Sequence, residues 1–186
     1  MVKKLLAIMI LVGVLLATPI ALAKNDGQGN GAQLKHLNAA ENGLSKGQGM
    51  AKHLYLYQKN STDWSIVPDG AWGKMNFKQA GLVFNGHGLE PGQNFTLIYY
   101  PDPWPGTGLI DLGNATADKN GNVHIKATFD FLSIPIVGDT NAGAKIWLVL
   151  TDDLQLGDTS SMIAWNPDCY LFEYVTITPS TLWILK

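Results

Sequence analysis

The chain has 186 residues, with 13 Lys, no Arg and 15 Asp plus Glu, for a net charge of −2. Phosphate and base-edge recognition draw on clustered Lys and Arg, so this balance argues against nucleic acid, and against an anionic membrane surface for the same reason. One cysteine, Cys169, leaves no intramolecular disulfide, so the core must hold itself together.

The first segment is Met1-Val2-Lys3-Lys4, an apolar run from Leu5 to Leu16, and Ala21-Leu22-Ala23. A basic start, an apolar middle and small residues at the end are the pattern of a secretory signal peptide, with cleavage after Ala23. Thr18 and Pro19 interrupt the run well short of the ~20 apolar residues a membrane span needs. The sequence therefore predicts a secreted or cell-surface protein without stable membrane insertion after cleavage. Residues 24–52 follow as a Gly, Asn and Gln-rich leader, too polar to bury much surface, in which Leu34, Leu37, Ala40 and Leu44 keep helical spacing.

A single domain is expected over 53–186. His53–Gln58 alternates Leu54 and Leu56 with Tyr55 and Tyr57, the period-2 mark of a strand. Further runs of β-formers predict strands over 74–78, 82–85, 94–100, 109–117, 123–132, 145–151, 162–165, 170–177 and 181–185. Turn chemistry separates nearly every pair, as in Asn85-Gly86-His87-Gly88, Glu90-Pro91-Gly92 and Lys119-Asn120-Gly121-Asn122. About ten strands without a long helix predict an all-β fold, an antiparallel two-sheet sandwich that is Ig-like or jelly-roll-like. The last run, Thr181–Leu185, is apolar enough to need cover and is expected to join a sheet edge of its own or a neighbouring molecule.

The spacing Leu89-x-Pro91-x-x-x-Phe95, leading into Thr96–Tyr100, is similar to the corner of fibronectin type III and immunoglobulin-like sandwiches, with Phe95 where those domains carry tyrosine. More broadly, Gly70–Met75, Tyr99–Gly106 and Trp165-Asn166-Pro167 resemble an uncharacterised type of exported prokaryotic β-sandwich module. That resemblance implies a fold and a location, and no activity.

Chemistry-bearing patterns are sparse. His53, His87 and His124 lack metal-ligand spacing, and Ser160 and Ser161 lack the Gly-x-Ser-x-Gly turn of an exposed nucleophile. No cofactor, metal site or catalytic residue is predicted. Glu90, Glu173, Asp102, Asp111 and Asp130 cannot be paired from sequence into a facing carboxylate couple. Asp118–Asn122 reads as a hairpin turn between its flanking strands rather than a calcium loop, because its glycine and its twelfth position do not fit an EF-hand. Asp152, Asp153 and Asp158 form a second acidic loop with the same two readings. Cys169, beside Tyr170-Leu171-Phe172, reads as a small buried hydrophobe. Sequons place glycosylation candidates at Asn60, Asn94 and Asn114.

The sequence reads as a non-enzymatic structural or matrix component, with a module binding an extracellular glycan or protein as the alternative and an enzyme as the third class. The binding reading centres on Tyr99-Tyr100-Pro101-Asp102-Pro103-Trp104-Pro105-Gly106. Its prolines fix φ at three points, so the loop loses little entropy on binding. Tyr99, Tyr100, Asp102 and Trp104 are its candidate contacts, and the competing expectation is that Trp104 folds back to cap the core.

Overall fold

The computed structural model describes residues 53–78, 81–130, 133–135 and 143–176. The signal peptide, the leader and the Thr181–Leu185 run lie outside the described residues. Among the described residues ten strands occur in chain order: β1 His53–Tyr57, β2 Trp72–Lys78, β3 Gly81–His87, β4 Asn94–Tyr100, β5 Ile110–Thr116, β6 Val123–Ala127, β7 Lys145–Leu150, β8 Leu154–Gln155, β9 Ser161–Met162 and β10 Leu171–Glu173.

Eight of them form one antiparallel sheet in the order β5-β4-β7-β10-β1-β2-β3-β6, while β8 and β9 make a separate two-stranded sheet. The expected all-β, antiparallel class holds. In place of two large facing sheets, one continuous hydrogen-bonded sheet rolls until it is nearly barrel-shaped. The edge strands come so close that a Cβ added at Gly113 of β5 would lie 2.7 Å from Ile125 of β6.

Period-2 alternation aims one side chain in two at the interior. Leu54 and Leu56 of β1, Met75 and Phe77 of β2, Leu82 and Phe84 of β3, Phe95 and Leu97 of β4, and Ile146 and Leu148 of β7 meet there. In β5 the register slips opposite Leu97 and Ile98, a bulge that seats Leu112 in this core at 2 % exposure.

Asp118–Asn122 is a turn, closed by Asp118 N–H to Asn122 O at 2.8 Å and Gly121 N–H to Asp118 O at 2.9 Å. It does not make a hairpin, because β5 pairs with β4 and β6 with β3, and no ladder joins β5 to β6 among the described residues. The turn is an arch between the two edges. It lies against the β3–β4 arch, where Leu89 N–H donates to Gly121 O at 3.0 Å. A Cβ on Gly121, whose φ is +73°, would sit 2.3 Å from the Leu89 carbonyl oxygen, so this position needs glycine.

The outer face of the sheet is treated unequally. On β3 and β6 it is half-buried or exposed, as the patterns BBiBiBi and BeBei record. On β4, β7 and β10 it is buried beneath residues 151–170. There Leu154, Met162 and Tyr170 pack on Ile98, Tyr100, Trp147, Val149 and Phe172 as a second core. Asp153, itself 6 % exposed, ties this cover together. Its carboxylate accepts from Asn166 Nδ2 at 2.9 and 3.0 Å and from the Tyr170 hydroxyl. The second acidic loop is therefore partly a strand, β8, with a buried carboxylate that organises the cover.

Cys169 corrects the sequence reading. It ends the 3-10 turn Pro167–Cys169 with its side chain exposed, before the chain enters β10 at Leu171. Partial burial, followed by the carboxylates of Asp153, Asp168 and Glu90, raises its thiol pKa. A thiol so placed is poorly ionised and a weak nucleophile.

Candidate functional site: a tryptophan cleft

Four stretches of chain distant in sequence meet at one end of the cover. The β1–β2 loop brings Trp64, the β4–β5 loop brings Asp102 and Trp104 beside Tyr100 at the end of β4, β7 brings Lys145 and Trp147, and the cover brings Trp165. They line a cleft of about 670 Å³, within the usual range for small-ligand sites of roughly 300–1,000 Å³.

Trp147 is the floor. At 8 % exposure it stacks on Tyr100, with centroids 4.0 Å apart and planes 15° from parallel, and its edge meets Phe172 at 5.2 Å. Its indole N–H donates to the Glu173 carboxyl. Burial pushes the pKa of Glu173 up to about 7 against the pull of Lys59, Lys145 and that indole, and its Oε2 has no hydrogen-bond partner among the described residues. Tyr100 is held on its other side by Gly106, where a Cβ would lie 2.4 Å from the ring. Burial, then the nearby Asp102, raises the Tyr100 hydroxyl pKa.

Three tryptophans form the walls and remain open to solvent: Trp64 at 49 %, Trp104 at 50 % and Trp165 at 41 %. Trp165 joins them, lying 5.7 Å from Trp104 at 77°, 6.3 Å from Trp64 at 42° and 5.9 Å from Trp147 at 54°. Trp64 has φ +60°, a left-handed conformation that a bulky side chain enters at a cost of about 1–3 kcal/mol. The loop enforces it. Trp64 N–H donates to Asn60 O at 2.8 Å, Asn60 N–H to Ser65 O at 2.8 Å, and Asp63 Oδ1 accepts from both Ser65 N–H and Ser65 Oγ.

The β4–β5 loop is pinned to the cover by Gly108 N–H to Ser160 O at 2.8 Å and Met162 N–H to Pro105 O at 2.9 Å. Its Asp102–Pro103 and Trp104–Pro105 peptide bonds are cis. At the rim Lys145 Nζ donates to Asp102 Oδ2 at 2.5 Å and lies 5.9 Å from the Tyr100 ring centroid.

The structure thus brings Tyr100, Asp102 and Trp104 into one cleft and leaves Tyr99 out. Tyr99 points inward, 1 % exposed in the barrel core, because neighbouring strand residues face opposite sides. Trp104, half exposed, does not cap that core. Trp64, Lys145, Trp147 and Trp165 were not foreseen in the cleft. Trp165, expected at the end of a strand over 162–165, stands instead in irregular structure after β9.

The histidines are engaged elsewhere. His87 Nδ1 meets Asn122 Oδ1 at 2.8 Å with its ring against Trp72, and His124 Nδ1 meets Asn85 Oδ1 at 2.7 Å across the β3–β6 ladder. Among the described residues no three His, Cys, Asp or Glu side chains are grouped to hold a metal ion, and no helix is long and apolar enough to cross a membrane. Asn60, Asn94 and Asn114 are all exposed. The Asn60 side chain caps Thr62 N–H at 2.8 Å, and that of Asn94 accepts from Thr116 at 2.5 Å.

Fold and site together define an all-β roll with an aromatic cleft on its outer face. Comparison with family models, with curated proteins and with solved structures finds no match to this chain.

Proposed function

We propose that this chain is an exported, non-enzymatic binding module whose tryptophan cleft takes an extracellular glycan. One observation carries the reading: three half-exposed tryptophans converge over a fixed aromatic floor beside an ion pair. Exposing that much indole costs hydration free energy on every folded molecule, and a purely structural or matrix role gives no reason for it. A sugar ring offers the complement, since its C–H face packs on indole and its hydroxyls bond to Asp102 and Lys145. The amino-terminal pattern of residues 1–23 supports export. Association of copies through the Thr181–Leu185 tail is a separate expectation, read from concentration-dependent sedimentation.

The test is a glycan-array screen of the purified chain beside its Trp104→Ala and Trp165→Ala variants. Binding by the wild type that both variants lose, with Tm moved by no more than a few degrees, supports the reading. A wild type that binds no glycan, or variants that bind as well as the wild type, would overturn it.

A further inference from the structure

Resting on the glycan reading, we infer that the cleft takes a single, unpacked sugar chain turned across its tryptophan walls, and does not adsorb to the flat face of a crystalline polysaccharide. The angles between the walls carry this. Stacking on an indole sets the sugar ring nearly parallel to it, so that the C–H face meets the negative face of the aromatic ring. Trp165 stands at 77° to Trp104 and at 42° to Trp64. Because those two angles differ, Trp64 and Trp104 are not parallel to each other either. A flat array of coplanar sugar rings therefore lies along one wall only. A free chain, turning at each glycosidic bond, lays successive rings on more than one.

The walls are held at these angles. Trp165 is 5.7 Å from Trp104 and 6.3 Å from Trp64 between centroids, within the roughly 4.5–7 Å of aromatic contact, so a ligand lies in the angle between the indoles and does not slot between them. Trp165 also packs edge to face on Tyr170 at 5.6 Å and 78°. Its backbone is clamped on both sides, by Ile163 N–H to Asp153 O at 2.8 Å and by Asn166 N–H to the Tyr170 hydroxyl at 3.0 Å. Trp64 stands edge-on to Phe172, 5.1 Å away at 78°, in the loop that enforces its left-handed backbone. The loop carrying Trp104 is tied to the cover through Pro105 O and Gly108 N–H. The bend between the walls is thus in place before a ligand arrives, and binding spends little entropy on ordering them.

The experiment uses the full chain and three polymers obtainable both as soluble oligomers and as crystals. Cellohexaose, chitohexaose and mannohexaose are titrated by tryptophan fluorescence, and powders of crystalline cellulose, chitin and mannan are tested by co-sedimentation. The expected result is saturable binding of at least one hexaose and retention on none of the powders. Trp104→Ala and Trp165→Ala should each weaken the bound hexaose by roughly tenfold or more, as loss of a central tryptophan contact does, because the chain spans both walls. Retention on any powder would overturn the inference and leave the glycan reading standing. A loss in one variant with the other unchanged would also overturn it, since one wall would then suffice. A blank for all six probes removes the inference, and the glycan reading falls with it only where the glycan array is blank too. The comparison of oligomer with powder is made on the wild type, so a Trp165→Ala chain that fails to fold leaves the test intact.

Discussion

The two halves of the rolled sheet obey different rules. On β3 and β6 one face meets the barrel core and the other meets water, so Leu82, Phe84, Val123 and Ile125 alternate with half-buried or exposed neighbours. On β4 and β7 both faces are covered, and the sequence answers with near-continuous apolar runs, Phe95–Tyr100 and Ile146–Leu150. The covered half needs a second layer, supplied by residues 151–170. Where that layer ends, large aromatic side chains stand without further cover. The cleft is the unfinished margin of the second core, and its tryptophans are shared between packing and solvent.

The largest expected effect separates the halves directly. Phe172→Ala removes a buried ring touching Trp64, Trp147 and Trp165 and should cost about 3–5 kcal/mol. Val83→Ala, half-buried on the outer face of β3, should cost under about 1 kcal/mol. Chemical denaturation of the two variants reads both numbers, and equal losses would erase the distinction.

Next in size is Tyr170→Phe. Its hydroxyl donates to buried Asp153 and accepts from Asn166 N–H at 3.0 Å, so removal leaves both short of a partner and should cost about 1–3 kcal/mol. The cover should loosen before the barrel does, visible as faster hydrogen exchange over 151–170 than over β2 and β3. Uniform exchange would mean that cover and barrel unfold as one.

A smaller effect is the pH dependence from Glu173. Its folded pKa, raised to about 7 by burial, lies above the ordinary carboxylate value of 4.5, so the folded state holds its proton more tightly than the unfolded chain. The contribution is fully present below the unfolded pKa and is lost as pH rises through the window from 4.5 to about 7. Glu173→Gln should flatten the fall in Tm across that window and raise Tm at its upper end. An unchanged slope would show that Glu173 is not the group responsible. The smallest expected stability change is that of Trp104→Ala, within about 1 kcal/mol, because half of the side chain is already in water.

Runs of β-formers bounded by turn residues located β1, β3 and β4 to within a residue or two, whether the outer face is covered or open. Closure was not legible. Asp118–Asn122 has the chemistry of a tight turn whether its strands pair or part, and only the partners of β5 and β6 decide between hairpin and arch. Of the two-residue strands of the cover, β8 sits among acidic residues that read as loop, and β9 overlaps the expected 162–165 strand only at Met162. In the cleft, the proline-rich loop announced Asp102 and Trp104 because its stiffness is written in consecutive residues. Trp64, Trp147 and Trp165 come from three other stretches, and nothing local to any of them states that they converge. Tyr99 and Tyr100 show the limit at the scale of one residue: chemically identical neighbours, one in the barrel core and one behind the cleft, divided by strand parity alone.

The most direct test of the tryptophan cleft follows the indole N–H resonances of the six tryptophans during titration with a glycan that the chain binds. The account predicts that Trp64, Trp104 and Trp165 shift together at one affinity while Trp72, on the outer face of β2 beside His87, stays still. Shifts at Trp72 with those three unmoved would place the ligand elsewhere and contradict it.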